Sequence, residues 1–127
     1  MPLSESDLKH LWDMLDAARR AREYTRSVTQ QAYTSDAMRK DAVVRVIEVV
    51  GEAARRVSKE GQAEVSAVQW SAIIATRHIM AHEYDEVDYE QVWRIATIHI
   101  PVLIAQLEPV LRAHPPGPEA SRPLLDP

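Results

Sequence analysis

Apolar residues recur at spacings of three and four from Leu8 to Leu111, and the whole chain contains only three glycines. Such spacing places apolar side chains on one face of an α-helix, because an α-helix turns once in about 3.6 residues. The pattern begins behind Ser4 and Asp7, a hydroxyl and an acid in the positions of an N-terminal cap. We predict that this first helix extends to about Tyr33. The chain is therefore expected to be built from helices that each bury one face.

A second apolar stripe predicts a helix that begins after Thr34 or Ser35. Cationic residues near its end favour a helix C-terminus, and Gly61 is expected to stop it. Residues 61–68 are interpreted as a connector. The residues expected on the buried face of this helix are Met38, Ala42, Val46, Val49, Val50, Ala53 and Val57.

Two further helices complete the predicted fold. A shorter helix begins near Gln69 and runs into residues 77–84, and a longer one is capped by Asp88. Pro101 lies inside the last helix and should kink it, since proline lacks a backbone N–H and clashes with the preceding turn. Its predicted inward residues are Val92, Ile95, Ala96, His99, Val102, Leu103, Leu107 and Val110.

Short connectors between these helices predict an all-α fold, an antiparallel bundle of four to five helices over residues 1–114. Residues 115–127 include five prolines, and we expect them to form a disordered tail.

The composition limits the kinds of site and compartment. The chain has no cysteine, which excludes disulfides and thiolate metal sites, and no apolar run near the roughly 20 residues that span a bilayer. Its first residues lack the basic and apolar regions of a signal peptide. We therefore expect a cytoplasmic protein without a membrane partner. The net charge of −4 argues against broad binding to a long polyanion but is compatible with a local phosphate site.

The segment from Arg77 to Tyr84 concentrates groups that suit phosphate chemistry. Arg77 carries a permanently charged planar fork, His82 can exchange a proton near neutral pH, and Tyr84 offers a hydroxyl that can be modified. On a straight helix Arg77 and His82 point about 140° apart, since each residue turns the helix by about 100°. Either the helix breaks near Ala81, or a second copy of the chain supplies the missing group.

Several of the neighbouring charged residues have both a structural and a functional explanation. His78 and His82 are four residues apart, but no third ligand is evident, so no metal site is predicted. Arginines at positions 19, 22 and 26 form a stripe that matches either a solvated helix face or a track for an RNA backbone.

Two glutamates of the second helix have the same double explanation. Arg45, Glu48 and Glu52 stand at positions i, i+3 and i+7 of this helix, which predicts a set of ion pairs on one side of it. Glu48 and Glu52 could also face the cleft that contains Arg77.

Four segments, taken in order, resemble HEPN-domain ribonuclease toxins of the HepT type. Arg77-x4-His82-x-Tyr84 is similar to the Arg-x4-6-His motif of that family with its trailing tyrosine. Residues 39–54 resemble the second-helix signature, and residues 70–74 and 87–93 match the segments on either side of the motif. His78 stands where the family most often has asparagine or aspartate. The resemblance covers about residues 5–112.

The resemblance implies an endoribonuclease toxin that needs no metal and no cofactor, acts on RNA, and forms a homodimer in which two motifs face one cleft. It also implies an antitoxin partner, a minimal nucleotidyltransferase that transfers AMP to the motif tyrosine, here Tyr84. The homodimer would then act alone or within a larger toxin–antitoxin complex.

The chemistry of these side chains agrees with RNA cleavage. Cleavage needs a base for the 2′-hydroxyl, an acid for the leaving oxygen and cationic donors for the transition state. His82 suits one proton-transfer role, its dimer mate the other, and Arg77 the third, with His78, Glu48 and Glu52 as supporting residues. Two other hypotheses stay open at this point: a non-catalytic helical module that binds a nucleotidyltransferase, and a small domain that binds a nucleotide.

Overall fold

The computed structural model describes residues 3–81 and 87–115, with the side chains of residues 3–76 and 87–115. Within these ranges the chain forms six helices and no β-strand. The helices are α1 (Glu5–Thr25), α2 (Gln30–Thr34), α3 (Ala37–Arg56), α4 (Lys59–Glu64), α5 (Trp70–Ala81) and α6 (Tyr89–Arg112). The prediction of an all-α bundle is confirmed. The predicted disordered tail lies outside the described residues, apart from Pro115.

The core forms where α1 packs against α3 and α6, and α5 packs against α3 as well. α1 and α6 run antiparallel, because Trp12 Nε1 donates to the His114 carbonyl (2.8 Å) and Arg19 Nη2 contacts Glu108 Oε2 (2.9 Å). The largest fully buried side chains are Tyr33, Leu11, Met14, Leu15, Ile47, Ile104, Leu107, Leu111, Val43 and Val92. Burying each large aliphatic side chain contributes roughly 1.5–3 kcal/mol, so these contacts dominate the stability of the bundle.

The prediction that the first helix reaches Tyr33 is wrong, because α1 ends at Thr25. The Thr25 hydroxyl donates to the Ala21 carbonyl (2.9 Å), and the chain then turns. Thr29 is extended, and its hydroxyl accepts a hydrogen bond from the Ala32 N–H (3.1 Å), which starts the separate helix α2. A threonine side chain that caps a new helix competes with continuation of the old one.

The cap of α3 is Asp36, whereas Thr34 or Ser35 was predicted. Asp36 Oδ1 accepts a hydrogen bond from the Arg39 N–H (3.0 Å), and this bond holds the pKa of the Asp36 carboxyl below its usual range. Met38 consequently falls in the first turn on the outer side of the helix, where it is 85% exposed. The expected burial of Met38 is therefore wrong.

Gly61 lies inside α4, so the prediction that it ends the second helix is wrong, and the predicted connector 61–68 begins within a helix. α3 ends at Arg56, and Ser58 caps α4 by accepting a hydrogen bond from the Gly61 N–H (3.0 Å). A Cβ atom at Gly61 would lie 2.5 Å from Asp7 Oδ2 and 2.9 Å from Val57 Cγ1. The glycine is thus explained by the close approach of α1 to α4.

Pro101 is accommodated by a π-helical turn in α6. Residues Ile95–His99 are π-helical, and the Ile100 N–H donates to the Ile95 carbonyl. The wider turn adds one residue to the helix before the proline. The buried face therefore continues one position later than the spacing predicted, as Ile100, Leu103, Ile104, Leu107 and Leu111. His99 and Val102, predicted to point inward, are exposed for this reason.

By length and composition alone, α6 is long and apolar enough to cross a membrane, with a mean hydropathy of 1.3 in its most apolar window. Its buried face packs against α1, as expected for the central helix of a bundle. The expectation that no apolar segment approaches this length is therefore wrong.

Candidate functional site

Trp70 fixes the start of α5, the helix that leads into the Arg77–Tyr84 segment. Its indole Nε1 donates to the carbonyls of Gln62 and Val65, both at 3.1 Å, and its side chain is only 9% exposed. The buried indole donates to two carbonyls at the end of α4, and these hydrogen bonds hold the start of α5 against α4. The helix then continues without a break to Ala81.

The predicted site residues fall on both sides of the limit of the described structure. Arg77 and His78 lie on the last turns of α5, and their side chains are outside the described residues. His82 and Tyr84 lie outside the described residues altogether. The helix is regular up to Ala81, so the backbone of Arg77 has the direction that a continuous helix gives it.

Glu48 and Glu52 lie on α3, the helix against which α5 packs. Glu48 Oε2 contacts Arg45 Nη1 at 3.7 Å, which confirms the predicted ion pair. Glu52 Oε1 accepts a hydrogen bond from Arg55 Nη2 (2.6 Å), and this bond raises the pKa of the Arg55 guanidinium. The two glutamate side chains are 35% and 38% exposed, so both can be reached by solvent. The prediction that they share a cleft with Arg77 stays a prediction.

The chain re-enters the described structure at residue 87 and is anchored at Tyr89. The Tyr33 hydroxyl donates to the Tyr89 carbonyl (3.4 Å), and Lys40 Nζ lies 4.5 Å from the centre of the Tyr89 ring. The Tyr89 hydroxyl donates to Asp41 Oδ1 at 3.5 Å. Asp88 caps the helix by accepting a hydrogen bond from the Gln91 N–H (3.1 Å), as predicted. Fixed structure therefore lies on both sides of the segment between α5 and α6: the end of α5 at Ala81 before it, and the contacts of Tyr89 with α2 and α3 after it.

Neither phenol of this anchor is suited to act as a base near neutral pH. Burial, together with the neighbouring Tyr89, raises the pKa of Tyr33 to about 12. Burial and the charge of Asp41 also raise the pKa of Tyr89. Both side chains therefore serve as hydrogen-bond donors that hold the start of α6. From the sequence, Tyr89 was recognised only as part of the matching segment 87–93. Its contacts with α2 and α3 could not be predicted from the spacing of residues along the chain.

The described arrangement places the start of the Arg77–Tyr84 segment on a helix that begins at the buried Trp70 and packs against α3. A family model described as Ribonuclease HepT-like matches residues 14–110, which include that segment and all of its described supports. The chain belongs to the HepT-like ribonuclease family. The match extends from the middle of α1 almost to the end of α6.

Curated relatives of this HepT-like chain extend over most of its length. A protein of Methanocaldococcus jannaschii named "Putative RNase" is 28% identical over 84% of this chain and 98% of its own length. A protein of Caldanaerobacter subterraneus, also named "Putative RNase", is 30% identical over 71% of this chain and 80% of its own length. A "Probable ribonuclease HepT" of Thermococcus cleftensis is 24% identical over 84% and 96% of the two chains. No solved structure matches the chain at a significant level.

The arginine stripe of α1 is engaged with carboxylates in this HepT-like fold. Arg19 pairs with Glu108 of α6, and Arg26 Nη1 contacts Glu23 Oε2 at 3.1 Å. The hydrogen bond from Arg19, with the charges of Arg22 and Arg112, holds the pKa of Glu108 below its usual range. The described contacts thus favour the structural explanation of the stripe over an RNA track. Among the described residues no group of three or more histidines and carboxylates is placed to hold a metal ion.

An apolar groove of about 410 Å³ lies between α5 and α6, with α3 as its floor. Ile47 and Val50 of α3, Ile73 of α5 and Leu103 of α6 supply aliphatic surface. The polar side chains along it are Gln69, Thr76, Gln91, His99 and Gln106. Sequence reasoning missed this groove because it assigned His99 and Val102 to the interior. Among the described residues of α5, the lining of the groove extends to Thr76, the residue before Arg77.

Proposed function

We propose that this HepT-like protein is an endoribonuclease toxin that acts in the cytoplasm and cleaves RNA without a metal ion. The observation that carries the proposal is the family match over residues 14–110, within which Arg77 begins the motif on α5. Arginine and histidine supply charge stabilisation and proton transfer by themselves, so the chemistry of the motif needs no metal-bound water.

The proposed reaction is an attack of the RNA 2′-hydroxyl on the adjacent phosphorus. One histidine removes the proton of that hydroxyl, the P–O5′ bond breaks, and a second histidine protonates the leaving 5′-oxygen. The products are a 2′,3′-cyclic phosphate and a 5′-hydroxyl. The O2′–P bond forms as the P–O5′ bond breaks, so no oxidant or reductant is needed. Arg77 stabilises the added negative charge on the phosphoryl oxygens. His82 and the His82 of a second copy are proposed for the two proton transfers.

Two copies are proposed because one chain does not align these groups easily. α5 is a regular helix as far as Ala81, and on a continued helix Arg77 and His82 would point about 140° apart. A two-fold axis beside α5 brings a second Arg77 and a second His82 to the same cleft. Glu48 and Glu52, on the helix that packs against α5, are proposed to orient the cationic groups of the cleft.

The direct test of catalysis is His82→Ala, with His10→Ala on α1 as the matched histidine control. A positioned general acid or base contributes about 10²–10⁴-fold, so His82→Ala should lose roughly that factor in RNA cleavage while far-UV circular dichroism stays unchanged. His10→Ala should cleave like the wild type. Cleavage is expected to persist in EDTA and to leave a 2′,3′-cyclic phosphate end, detected by mass spectrometry. Loss in EDTA with recovery on adding a divalent ion would contradict the mechanism.

The wild-type protein and His82→Ala also distinguish a toxin from a non-catalytic binding module. If the protein is only a module, expression should not arrest growth, and purified wild-type protein should not cleave RNA above the His82→Ala level. A toxin should arrest growth, and His82→Ala should relieve the arrest.

A mixing experiment tests whether the two histidines belong to one cleft. Inactive His82→Ala chains are added to a fixed amount of wild-type protein and allowed to exchange. At a ninefold excess, about one wild-type chain in ten has a wild-type partner, so cleavage should fall to about a tenth if each cleft needs both copies. Independent sites in each chain would leave the activity of the wild-type chains unchanged.

We further propose that a minimal nucleotidyltransferase antitoxin silences the protein by transferring AMP to Tyr84. The transfer joins the Tyr84 hydroxyl oxygen to the α-phosphorus of ATP and releases pyrophosphate, and the phenolic proton passes to solvent. The product adds a phosphodiester charge of −1 two residues from His82. An anion in that position competes with RNA for the Arg77 guanidinium and fills the space that the scissile phosphate needs.

A further inference from the structure

Lys40 is a cation that the fold holds in place without neutralising its charge. Its Nζ lies 4.5 Å from the centre of the Tyr89 ring, and this contact fixes the end of a side chain that is otherwise flexible. Among the described residues, no carboxylate pairs with Lys40 and no oxygen accepts a hydrogen bond from its ammonium group. The ring face therefore leaves the N–H donors of Lys40 unused, whereas a carboxylate would occupy them.

The charged neighbours of Lys40 on α3 have other contacts. Arg45 Nη1 lies 3.7 Å from Glu48 Oε2, so its charge is paired. Asp41, the carboxylate next to Lys40 in the chain, accepts a hydrogen bond from the Tyr89 hydroxyl (3.5 Å). The ring thus has the ammonium group over its face and a carboxylate at its hydroxyl, and the charge of Lys40 stays accessible to a ligand.

Lys40 lies at the end of the bundle towards which α5 runs. α5 starts beyond the end of α3, because Trp70 Nε1 donates to two carbonyls that follow α3 in the chain. Further along, Thr76 of α5 lines the same groove as Ile47 of α3. α5 therefore runs back along α3, antiparallel to it, towards the first turns of α3.

The remaining distance along the two helices is short. The five residues from Thr76 to Ala81 rise about 7.5 Å, and the seven residues from Ile47 back to Lys40 rise about 10.5 Å. The end of α5 and Lys40 thus lie at the same end of α3. The chain also returns to this place after the motif, since Tyr89 opens α6 and its ring contacts Lys40.

The chemistry of this position suits a phosphate group of an RNA chain. A lysine ammonium is a compact charge with three N–H donors, and phosphate oxygens accept such charge-assisted hydrogen bonds. Proteins that bind single strands place cations along the path of the backbone in this way. Because the Tyr89 ring already orders the side chain of Lys40, less conformational entropy is lost when the phosphate binds.

We propose that Lys40, held on the Tyr89 ring, binds a backbone phosphate of the RNA outside the scissile bond. The inference rests on the proposed function, because it takes RNA to be the substrate of the motif. It adds a contact that positions the substrate and gives Lys40 no part in proton transfer.

The test measures RNA binding as a function of salt in chains that carry His82→Ala, so that a fluorescein-labelled single-stranded oligouridylate stays intact. Each neutralised phosphate contributes about 0.7 to the slope of log affinity against log salt for single strands. Lys40→Gln should therefore reduce the slope by about 0.7, and its loss of affinity should be about five times larger in 0.1 M than in 1 M salt. Lys40→Arg should keep the slope.

Matched variants separate the charge from its position. Lys59→Gln removes the same charge beyond the opposite end of α3 and should leave the slope unchanged. Lys40→Met keeps an unbranched side chain on the ring and should reproduce Lys40→Gln, which covers the case that the first variant loses helicity. Tyr89→Leu keeps the charge but removes the ring, so the slope should persist while binding weakens about two- to tenfold, the cost of ordering one free lysine side chain.

In the chain with an intact motif, Lys40→Gln should raise KM for RNA cleavage and leave kcat nearly unchanged. This split is expected because a contact outside the scissile bond is made equally in the ground state and the transition state. A loss of kcat without a change in KM would contradict a role in substrate binding.

The outcomes distinguish this inference from the proposed function. An unchanged slope in Lys40→Gln, or an equal change in Lys59→Gln, would overturn the inference and leave Lys40 to the fold or to an acidic protein partner. If the wild type still cleaves RNA in that case, the inference fails alone. RNA that binds to none of the chains would overturn both. A slope that depends on Lys40, in a protein that cleaves no RNA, would support the phosphate contact and contradict the proposed ribonuclease.

Discussion

Gly61→Ala tests the close approach of α4 to Asp7 of α1. The new methyl would lie 2.5 Å from Asp7 Oδ2, 2.8 Å from Asp7 Cγ and 2.9 Å from Val57 Cγ1. Asp7 cannot move away freely, since its carboxylate accepts hydrogen bonds from the Ser58 N–H (2.8 Å) and the Ser58 hydroxyl. The side chain is also buried, at 5% exposure. The methyl must therefore displace a buried, hydrogen-bonded charge.

The net cost can be worked out from three opposing contributions. Overpacking costs typically about 1–3 kcal/mol. Weakening a hydrogen bond to a charged group costs about 1.5–3 kcal/mol. Replacing a helical glycine by alanine returns about 1 kcal/mol. Gly61→Ala should thus destabilise the protein by about 1.5–5 kcal/mol. The melting temperature should fall by about 4 °C for each kcal/mol, where the ranges for smaller and larger domains meet.

The assay is urea unfolding followed by circular dichroism, in the wild-type and Asp7→Ala backgrounds. Without the carboxylate the methyl meets mainly Val57, so Gly61→Ala should become neutral or stabilising by up to about 1 kcal/mol. Ala63→Gly, at an exposed position of the same helix, measures the propensity effect alone and should cost about 1 kcal/mol. Equal costs of Gly61→Ala in both backgrounds, or a more stable single variant, would refute the clash with Asp7.

Two further predictions concern acid stability and neutralisation. Burial raises the pKa of Asp7, but the hydrogen bonds from Ser58 outweigh it, so the pKa in the folded protein is lowered. The ionised carboxylate therefore stabilises the fold above its unfolded pKa of about 3.9. This stabilisation is lost as the pH falls through the lower folded pKa. In urea titrations between pH 7 and pH 2.5, Asp7→Asn should flatten the acid limb, and an unchanged limb would exclude Asp7 as its source. Tyr84→Phe keeps the ring but removes the acceptor hydroxyl, so co-expression with the nucleotidyltransferase should no longer restore growth or add the mass of AMP. The control Tyr24→Phe should still be neutralised. An AMP adduct of unchanged yield on Tyr84→Phe would exclude Tyr84 as the acceptor.

The local signals of the sequence predicted the helices better than their ends. The apolar spacing identified the helical class, and Asp88 was correctly recognised as a cap because a cap acts within one turn. The end of α1 at Thr25 and the cap at Asp36 were missed, since several hydroxyl and acidic residues between positions 25 and 36 are equally able to cap. Choosing among them depends on contacts made elsewhere, such as the Arg39 Nη1 donation to the Tyr24 carbonyl (2.7 Å).

The candidate site was predicted by residue type and by family resemblance, and its surroundings were not. The sequence identified Arg77 and the glutamates of α3, and the structure confirms that their helices pack together. The anchor at Tyr89 involves residues 48 to 56 positions away in the chain, and periodicity carries no information on such contacts. The family match to residues 14–110 places the chain among ribonucleases, while the roles of His82 and Tyr84 depend on the proposed experiments.

Pro101 links the sequence of α6 to its exposed side chains. A proline inside a helix leaves the carbonyl of the preceding turn without its usual donor, and here the π-helical turn at Ile95–His99 absorbs that defect. The added residue moves the buried face by one position, so that Ile100 and Leu103 enter the core while His99 and Val102 turn outward. Without this shift the apolar spacing would bury them. The residue that the sequence marked only as a kink therefore accounts for the exposed side chains of α6 along the groove beside α5, the helix that carries Arg77.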